Sequence, residues 1–188
     1  LQDEGCEGGA VLVYVDNEYQ SPATIFNSAF LWTDCTFEEN SAVAKGGAIS
    51  VNLWPNYFSD NNCTPGAPLT KSQNNSFVIR RSRFAGNSLL SSIQPGDVME
   101  YLAVGAAVHF SLPSDGCLCT NDDCGQKDKK KAWRYLNEIE VSSSAFSVNV
   151  AKRNGQGGAI AIANGNATIV DSTFQRNQAH LSGGADGL

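Results

Sequence analysis

The sequence is poor in charge and has no long apolar run, and each shortage argues against a class of protein. Only 17% of its 188 residues are charged, and the formal net charge is -6. Phosphate binding needs clustered lysine and arginine, so we expect no nucleic-acid partner. The one basic run, residues 127–134, is predicted to be a solvated loop. No run of about eighteen apolar residues occurs, so we expect no membrane span in this segment.

Histidine is also scarce, which argues against a metal site or a catalytic triad. The two histidines, His109 and His180, have no cysteine or carboxylate at the spacing of a metal site or a catalytic triad. We predict that both are solvated, and that the chain has no catalytic residues and no cofactor.

Glycine and short apolar segments are what the chain has instead. Eighteen glycines and a 41% hydrophobic content suit short strands and tight turns better than helices. The length suits one domain, so we predict a single all-β segment over residues 1–188. The chain starts at Leu1 without a leader, as a mature or trimmed piece of a longer protein would.

Two short motifs alternate along the chain. One is G-G-A-I, seen at residues 46–49 and 157–160. The other is of the type S-x-F-x-x-N, and its aromatic and amide residues are Phe37 and Asn40, Phe84 and Asn87, Phe146 and Asn149, and Phe174 and Asn177. One repeat of about 28 residues cannot bury its apolar strands alone, so the repeats must stack.

This stacking predicts a right-handed parallel β-helix of about four to five rungs. Side chains alternate within each repeat, which predicts an outward-facing column of Leu12, Ser50, His109 and Ala161. We expect the phenylalanines to form an internal stack, and the asparagines a ladder at a turn where Asn tolerates left-handed backbone angles. The motif phenylalanines are unevenly spaced, which predicts loop insertions at about 52–74, 88–103 and 111–136.

The two motifs together resemble the repeats of the chlamydial polymorphic membrane proteins, which pair G-G-A-I with F-x-x-N. The resemblance covers nearly the whole chain apart from the insertions, although residues 105–107 read Gly-Ala-Ala. It implies a pectin-lyase-like β-helix exposed at the cell surface, with adhesion as its usual role. Similar repeats in large algal and protist surface proteins suit the glycosylation sequons better than a bacterial outer membrane does.

Cysteines and sequons favour an oxidising, secretory route. The sequons begin at Asn62, Asn74 and Asn166. Cys35 shares a column with motif serines and is expected to stay reduced. The disulfide candidates, whose pairing the sequence does not select, are Cys6, Cys63, Cys117, Cys119 and Cys124. No metal site is predicted; the only calcium candidates lack the spacing of a known loop, and they are Asp115, Asn121, Asp122 and Asp123.

The favoured function is a structural or adhesive segment of a large secreted or cell-surface glycoprotein. Its partners would be other copies or other surface proteins, and glycans are a further class. Neither end carries a cap, so we expect the solenoid to continue and to suit an extracellular filament or appendage. A glycan-binding module using Trp54, Tyr57 and Trp133 is one alternative. A polysaccharide lyase or hydrolase is another, although the outward column with Asp34 and Arg81 suggests an ion pair instead.

Overall fold

Every regular element that the structure describes is a β-strand. The computed structural model describes residues 9–14, 24–43, 45–53, 71–90, 104–112, 137–152, 155–163, 166–180 and 186–187. In chain order the strands are β1 (Val11–Tyr14), β2 (Thr24–Phe26), β3 (Ala29–Thr33), β4 (Thr36–Glu38), β5 (Ser41–Ala42), β6 (Ile49–Asn52), β7 (Lys71–Gln73), β8 (Ser76–Arg80), β9 (Arg83–Ala85), β10 (Ser88–Leu89), β11 (Val108–Ser111), β12 (Glu138–Ser142), β13 (Ala145–Ser147), β14 (Val150–Ala151), β15 (Ile160–Ala163), β16 (Asn166–Val170), β17 (Thr173–Gln175), β18 (Gln178–Ala179) and β19 (Asp186–Gly187).

The described strands stack into parallel sheets because each repeat adds one strand to each sheet. Sheet 1 has the order β1-β6-β11-β15-β19, sheet 2 β3-β8-β12-β16, sheet 3 β4-β9-β13-β17 and sheet 4 β5-β10-β14-β18. A short parallel pair, β2 and β7, lies ahead of sheet 2. Four successive turns of the chain form rung 1 (β1, β3, β4, β5), rung 2 (β6, β8, β9, β10), rung 3 (β11 to β14) and rung 4 (β15 to β18). The predicted parallel β-helix is confirmed, with about four rungs.

The core fills the interior of the coil. Alternating side chains of the strands point inward, so that Phe77 and Ile79 of β8 are fully buried whereas Val78 between them is only half-buried. Inner residues of sheets 1, 2 and 3 join into one apolar cluster. A second, small cluster of Ala42, Leu89, Ala106 and Ala151 lies under the corner between sheets 4 and 1. The repeats therefore bury their apolar faces only by stacking, as a solenoid does.

Two sharp bends in each rung are made by residues with left-handed backbone angles. These residues precede the motif serine and the motif asparagine, and they are Asp34, Arg81, Ser143 and Asp171, and Glu39, Gly86, Val148 and Arg176. The prediction that the motif asparagines themselves take left-handed angles was wrong, because the chain turns one residue earlier. The bend thereby aims the asparagine side chain into the turn.

The first glycine of G-G-A-I is required at a third bend. Gly46, Gly105 and Gly157 have φ of 56°, 70° and 64°. A Cβ at each would overlap the carbonyl oxygen of the residue three positions later. Only glycine combines this backbone angle with such a close approach, which explains why this column keeps its glycine even where the second glycine becomes Ala106.

The outer side of sheet 1 is buried in β6, β11 and β15, which corrects one expectation, whereas Leu12 of β1 is exposed as predicted. Ser50, His109 and Ala161 alternate with the core residues, yet their exposed fractions are 0%, 3% and 3%. Alternation in a strand reports which side a residue faces, and that side is solvated only if nothing packs on it. The prediction that His109 is solvated was therefore wrong, whereas His180 is exposed.

The strands also reach into the predicted insertions. Asn52 ends β6 and Ser111 ends β11, while β7 and β10 lie within residues 71–73 and 88–89. Two- and three-residue strands are too short to show an alternating pattern, so their sequence could not be told from loop. In the part of the chain that the structure describes, no helix is long and apolar enough to cross a membrane.

Candidate functional site

The motif asparagines form a ladder through the interior of the bend between sheets 3 and 4. The Nδ2 of Asn149 donates to the carbonyl oxygen of Phe84 at 3.1 Å and to the Oδ1 of Asn177 at 2.8 Å. Its Oδ1 accepts from the backbone N of Asn87 at 3.0 Å and from the Nδ2 of Asn87 at 2.9 Å. Asn40 donates to Asn87 in the same way. Asn87 and Asn149 are fully buried, so these hydrogen bonds satisfy amides that water cannot reach.

A serine ladder runs through the bend between sheets 2 and 3. The backbone N of Ser82 donates to the Oγ of Ser144, and the backbone N of Ser144 donates to the Oγ of Ser172. In rung 1 the backbone N of Cys35 donates to the Oγ of Ser82. Cys35 is a free thiol whose Sγ contacts the carbonyl oxygen of Thr33. Both ladders have one direction, since each backbone N–H donates to the side chain of the following rung.

A further asparagine ladder escaped sequence reasoning. The Nδ2 of Asn75 donates to the Oδ1 of Asn137 at 3.0 Å, and the backbone N of Ser28 donates to the Oδ1 of Asn75 at 3.0 Å. Asn75 and Asn137 are both buried. Each stands nine positions before a motif phenylalanine, Phe84 and Phe146, and that fixed offset was the available signal.

The motif phenylalanines form a stack along the core. Centroid separations are 4.8 Å for Phe37–Phe84, 4.8 Å for Phe84–Phe146 and 4.9 Å for Phe146–Phe174, with interplanar angles of 11° or less. This separation equals the rise between parallel strands, so the sheet register itself sets the stack. The motif side chains of the described rungs thus contact one another, and those of rungs 2 and 3 are shielded from solvent.

Cross-rung ion pairs cover part of the outer face of sheets 2 and 3. Arg81 donates to both oxygens of Asp34 at 2.7 Å, Arg80 to Glu140 at 2.9 Å and Arg83 to Glu38 at 2.9 Å. The hydrogen bonds from Arg81 lower the pKa of Asp34 below its usual value. Hydrogen bonds from Arg80 and then from Ser142 likewise lower the pKa of Glu140. Asp34 and Glu140 are therefore ionised acceptors at neutral pH.

His109 is a buried ionisable group on the outer side of β11. No described residue hydrogen-bonds to its Nδ1. Burial, and to a smaller extent the positive charge of Lys45, lowers the pKa of His109 from 6.5 to about 3. The imidazole is consequently neutral in the folded protein at physiological pH.

This histidine should make the fold acid-sensitive. The folded pKa lies below the unfolded one, so the unfolded chain binds the extra proton first and stability falls as the pH drops below about 6.5. We expect a loss of about 2 kcal/mol in the free energy of unfolding between pH 7.5 and pH 5, measured by urea titration at each pH. His109→Gln should flatten this slope. His180→Gln, at an exposed histidine, should leave the slope unchanged, and an equal slope in both variants would contradict the assignment.

Several predicted site residues lie outside the described residues. They are Asn62, the cysteines Cys6, Cys63, Cys117, Cys119 and Cys124, the calcium candidates Asp115, Asn121, Asp122 and Asp123, and the aromatics Trp54, Tyr57 and Trp133. Within the described residues, no group of three His, Cys, Asp or Glu side chains is placed to hold a metal ion.

Two sequon asparagines are described, and both are exposed. Asn74 lies in the turn before β8 with φ of 53°, and Asn166 is the first residue of β16. Because β8, β12 and β16 pair in register, both asparagines lie at the N-terminal ends of the strands of sheet 2, two rungs apart.

Comparison with known families bears on the identity of the repeat. Residues 34–52 match the Chlamydia polymorphic membrane protein repeat. The matched segment begins at the bend before β4 and ends with the last residue of β6. It therefore contains one copy of each motif, Phe37 with Asn40 and the G-G-A-I at residues 46–49. The predicted repeat type is confirmed for this segment. The family is one of surface-exposed membrane proteins. Comparison with curated proteins and with solved structures finds no significant match.

Proposed function

We propose that this chain is a structural or adhesive segment of a larger secreted or cell-surface glycoprotein, and that it acts as a rigid rod. The proposal rests on the contacts that the motif residues make between successive rungs. Asparagine, serine and phenylalanine columns all bond or stack from rung to rung, as in Asn87–Asn149 and Phe84–Phe146. Residues repeated for such contacts serve stiffness and register, and not recognition of one small molecule.

The outer carboxylates support a role without catalysis. A glycoside hydrolase of the usual kind needs a protonated carboxylic acid in addition to a second carboxylate. Asp34 and Glu140 are instead held by arginines that lower their pKa, which makes them poor proton donors at neutral pH. We propose extracellular or cell-surface localisation on the repeat match and on the exposed sequons at Asn74 and Asn166.

Glycosylation is the sharpest test of the secretory part. Produced through a eukaryotic secretory pathway, the chain should carry glycans at Asn74 and Asn166, detected by glycopeptide mass spectrometry. Thr168→Val keeps the shape of the side chain and removes the sequon hydroxyl, so it should abolish the glycan at Asn166 and leave the one at Asn74.

Thr173→Val is the matched control, because Thr173 is an equally exposed threonine on the neighbouring strand and belongs to no sequon. It should leave both glycans in place. Secreted protein without glycan at either asparagine, and with all thiols free, would count against the proposal.

A further inference from the structure

One column of bend residues is exposed in every rung, including the two rungs in the middle of the stack. It lies at the bend between sheets 3 and 4, immediately before the motif asparagines, and we call it the ridge: Glu39, Gly86, Val148 and Arg176. Val148 of rung 3 is 51% exposed although rungs 2 and 4 lie on either side of it. The ridge therefore faces sideways from the rod, and its exposure does not depend on where the described stack begins or ends.

Val148 is an unusual residue for this position in two respects. Its backbone is left-handed, with φ of 56°, which a β-branched residue rarely adopts. Its side chain is exposed, so the strain is offset by little burial within its own chain. The bend does not require valine, since the same position holds glutamate, glycine and arginine in the other rungs. Strain that the fold does not require points to a function, and the exposed apolar side chain indicates contact with a partner.

Gly86, the ridge residue of rung 2, leaves a notch beside this valine. A Cβ placed on Gly86 would meet only the Cγ of Glu39 at 3.6 Å and its backbone N at 4.0 Å, which are ordinary van der Waals distances. The space outside Gly86 is therefore open. The backbone N–H groups of Glu39, Gly86 and Val148 each donate to a carbonyl oxygen of the following rung. The valine and the notch are consequently held one rung apart.

The outer two ridge residues carry opposite charges. Glu39 in rung 1 is acidic, Arg176 in rung 4 is basic, and both are exposed. Neither forms an ion pair with another residue that the structure describes, whereas Arg81 and Arg83 pair across rungs. From rung 1 to rung 4 the ridge presents an acid, a notch, a valine and a base. This order is complementary to itself when one copy is inverted.

We infer that two copies of this chain associate side by side and antiparallel through the ridge. Val148 of each copy then enters the notch at Gly86 of the other, and Glu39 of each copy faces Arg176 of the other. The contact is isologous, with its twofold axis between rungs 2 and 3, so it closes as a dimer. A parallel pair is disfavoured, because it opposes Glu39 to Glu39 and Arg176 to Arg176.

The outer face of sheet 3 next to the ridge permits a close approach. Its adjacent column reads Glu38, Ala85, Ser147 and Gln175 from rung 1 to rung 4. The antiparallel arrangement places Ala85 of one copy opposite Ser147 of the other, and both side chains are small. It also places Glu38 opposite Gln175, whose amide is a donor for a carboxylate. This column therefore adds no like-charge contact to those of the ridge.

Glycans on the described sequons leave the ridge accessible. Asn74 and Asn166 lie at the N-terminal ends of the strands of sheet 2, and the strands of sheets 2 and 3 separate them from the bend that forms the ridge. The inference rests on the proposed structural or adhesive role and deepens it, since it names a second copy as the partner and the ridge as the surface.

The test is sedimentation velocity of the purified 188-residue chain over a concentration series up to about 1 mM. We expect a monomer–dimer equilibrium without larger species. Val148→Asn removes the apolar contact, and asparagine tolerates the left-handed angle, so this variant should dimerise about tenfold more weakly without a lower thermal unfolding midpoint. Gly86→Asn fills the notch at the same backbone angle and should weaken the dimer to a similar degree.

Charge reversal tests the antiparallel register. Arg176→Glu places a glutamate opposite Glu39, and Glu39→Arg places an arginine opposite Arg176, so each single variant should dimerise about tenfold more weakly. An equimolar mixture of the two variants restores both pairings in a mixed dimer, so its association should return to that of the unmodified chain. Glu138→Arg makes the same charge change at an exposed position of sheet 2 and should leave the dimer unchanged.

A chain that stays monomeric at about 1 mM would overturn the inference. So would species larger than a dimer, a Val148→Asn variant that dimerises as strongly as the unmodified chain, or a mixture no stronger than its components. These outcomes are separate from the glycan test. Glycans at Asn74 and Asn166 on a chain that stays monomeric would support the proposed function and refute the dimer.

Discussion

Phe146→Ala is expected to lower the free energy of unfolding by about 4 kcal/mol. The ring is fully buried and is stacked on both faces, by Phe84 at 4.8 Å and by Phe174 at 4.9 Å. Truncation of a buried phenylalanine typically costs about 3–5 kcal/mol through lost transfer energy and the cavity that remains. Both stacking contacts are lost as well. Urea or thermal unfolding followed by circular dichroism would measure the change.

Phe174→Ala is the matched control for this prediction. It removes the same side chain from the same column, but Phe174 stacks on one described ring only and is partly exposed. We expect about half the loss seen for Phe146→Ala, because less apolar surface returns to water. An equal loss in the free energy of unfolding for the two variants would contradict the idea that the fully buried ring contributes more than the partly exposed one.

The repeat pattern was sufficient to predict the fold, for a physical reason. A parallel stack places identical positions of successive repeats side by side, so a period in sequence becomes a column in space. Phe37 and Asn40 therefore revealed their neighbours Phe84 and Asn87 without any structural knowledge. Asp34 beside Arg81 followed from the same reasoning, and the structure places their charged groups 2.7 Å apart.

What the sequence could not show is what packs against the outside of the coil. His109 occupies an outward position by alternation and is nevertheless buried, with a pKa near 3. The alternation of residues in a strand shows which side of the sheet each side chain faces. It does not show whether that side is exposed to solvent. The Asn75–Asn137 ladder was missed for a different reason, since the signal was only the shared offset of nine residues before Phe84 and Phe146 and belonged to neither motif.

The left-handed bends show a second limit. Turn chemistry assigns left-handed angles to asparagine and glycine, yet the residues that adopt them here include Val148 and Arg176. A β-branched residue in this region is uncommon and costs conformational energy. The cost is accepted because the bend must lie one residue before the ladder, where the asparagine can reach the following rung. Ladder geometry, and not local propensity, decides which residue turns.

The largest polar effect should follow from breaking the asparagine ladder at its centre. We expect Asn149→Leu to lower the free energy of unfolding by about 4 kcal/mol, since each buried group left without a partner costs about 1–3 kcal/mol. The carbonyl oxygen of Phe84 and the backbone N–H of Asn87 lose the hydrogen bond to this side chain. The neighbouring amides of Asn87 and Asn177 each lose one hydrogen bond and keep another. The measurement is the urea midpoint with an unchanged slope.

Asn166→Leu makes the same chemical change at an exposed asparagine, and in unglycosylated protein it should cost less than about 0.5 kcal/mol. Asn149→Asp keeps both acceptor positions and replaces the amine that donates to Phe84 and Asn177 by a carboxylate oxygen. Its buried carboxylate should have a raised pKa, so its deficit relative to Asn149 should shrink as the pH falls and protonation restores one donor. A deficit independent of pH, or an Asn149→Leu loss no larger than that of Asn166→Leu, would mean that packing and not the ladder holds the rungs in register.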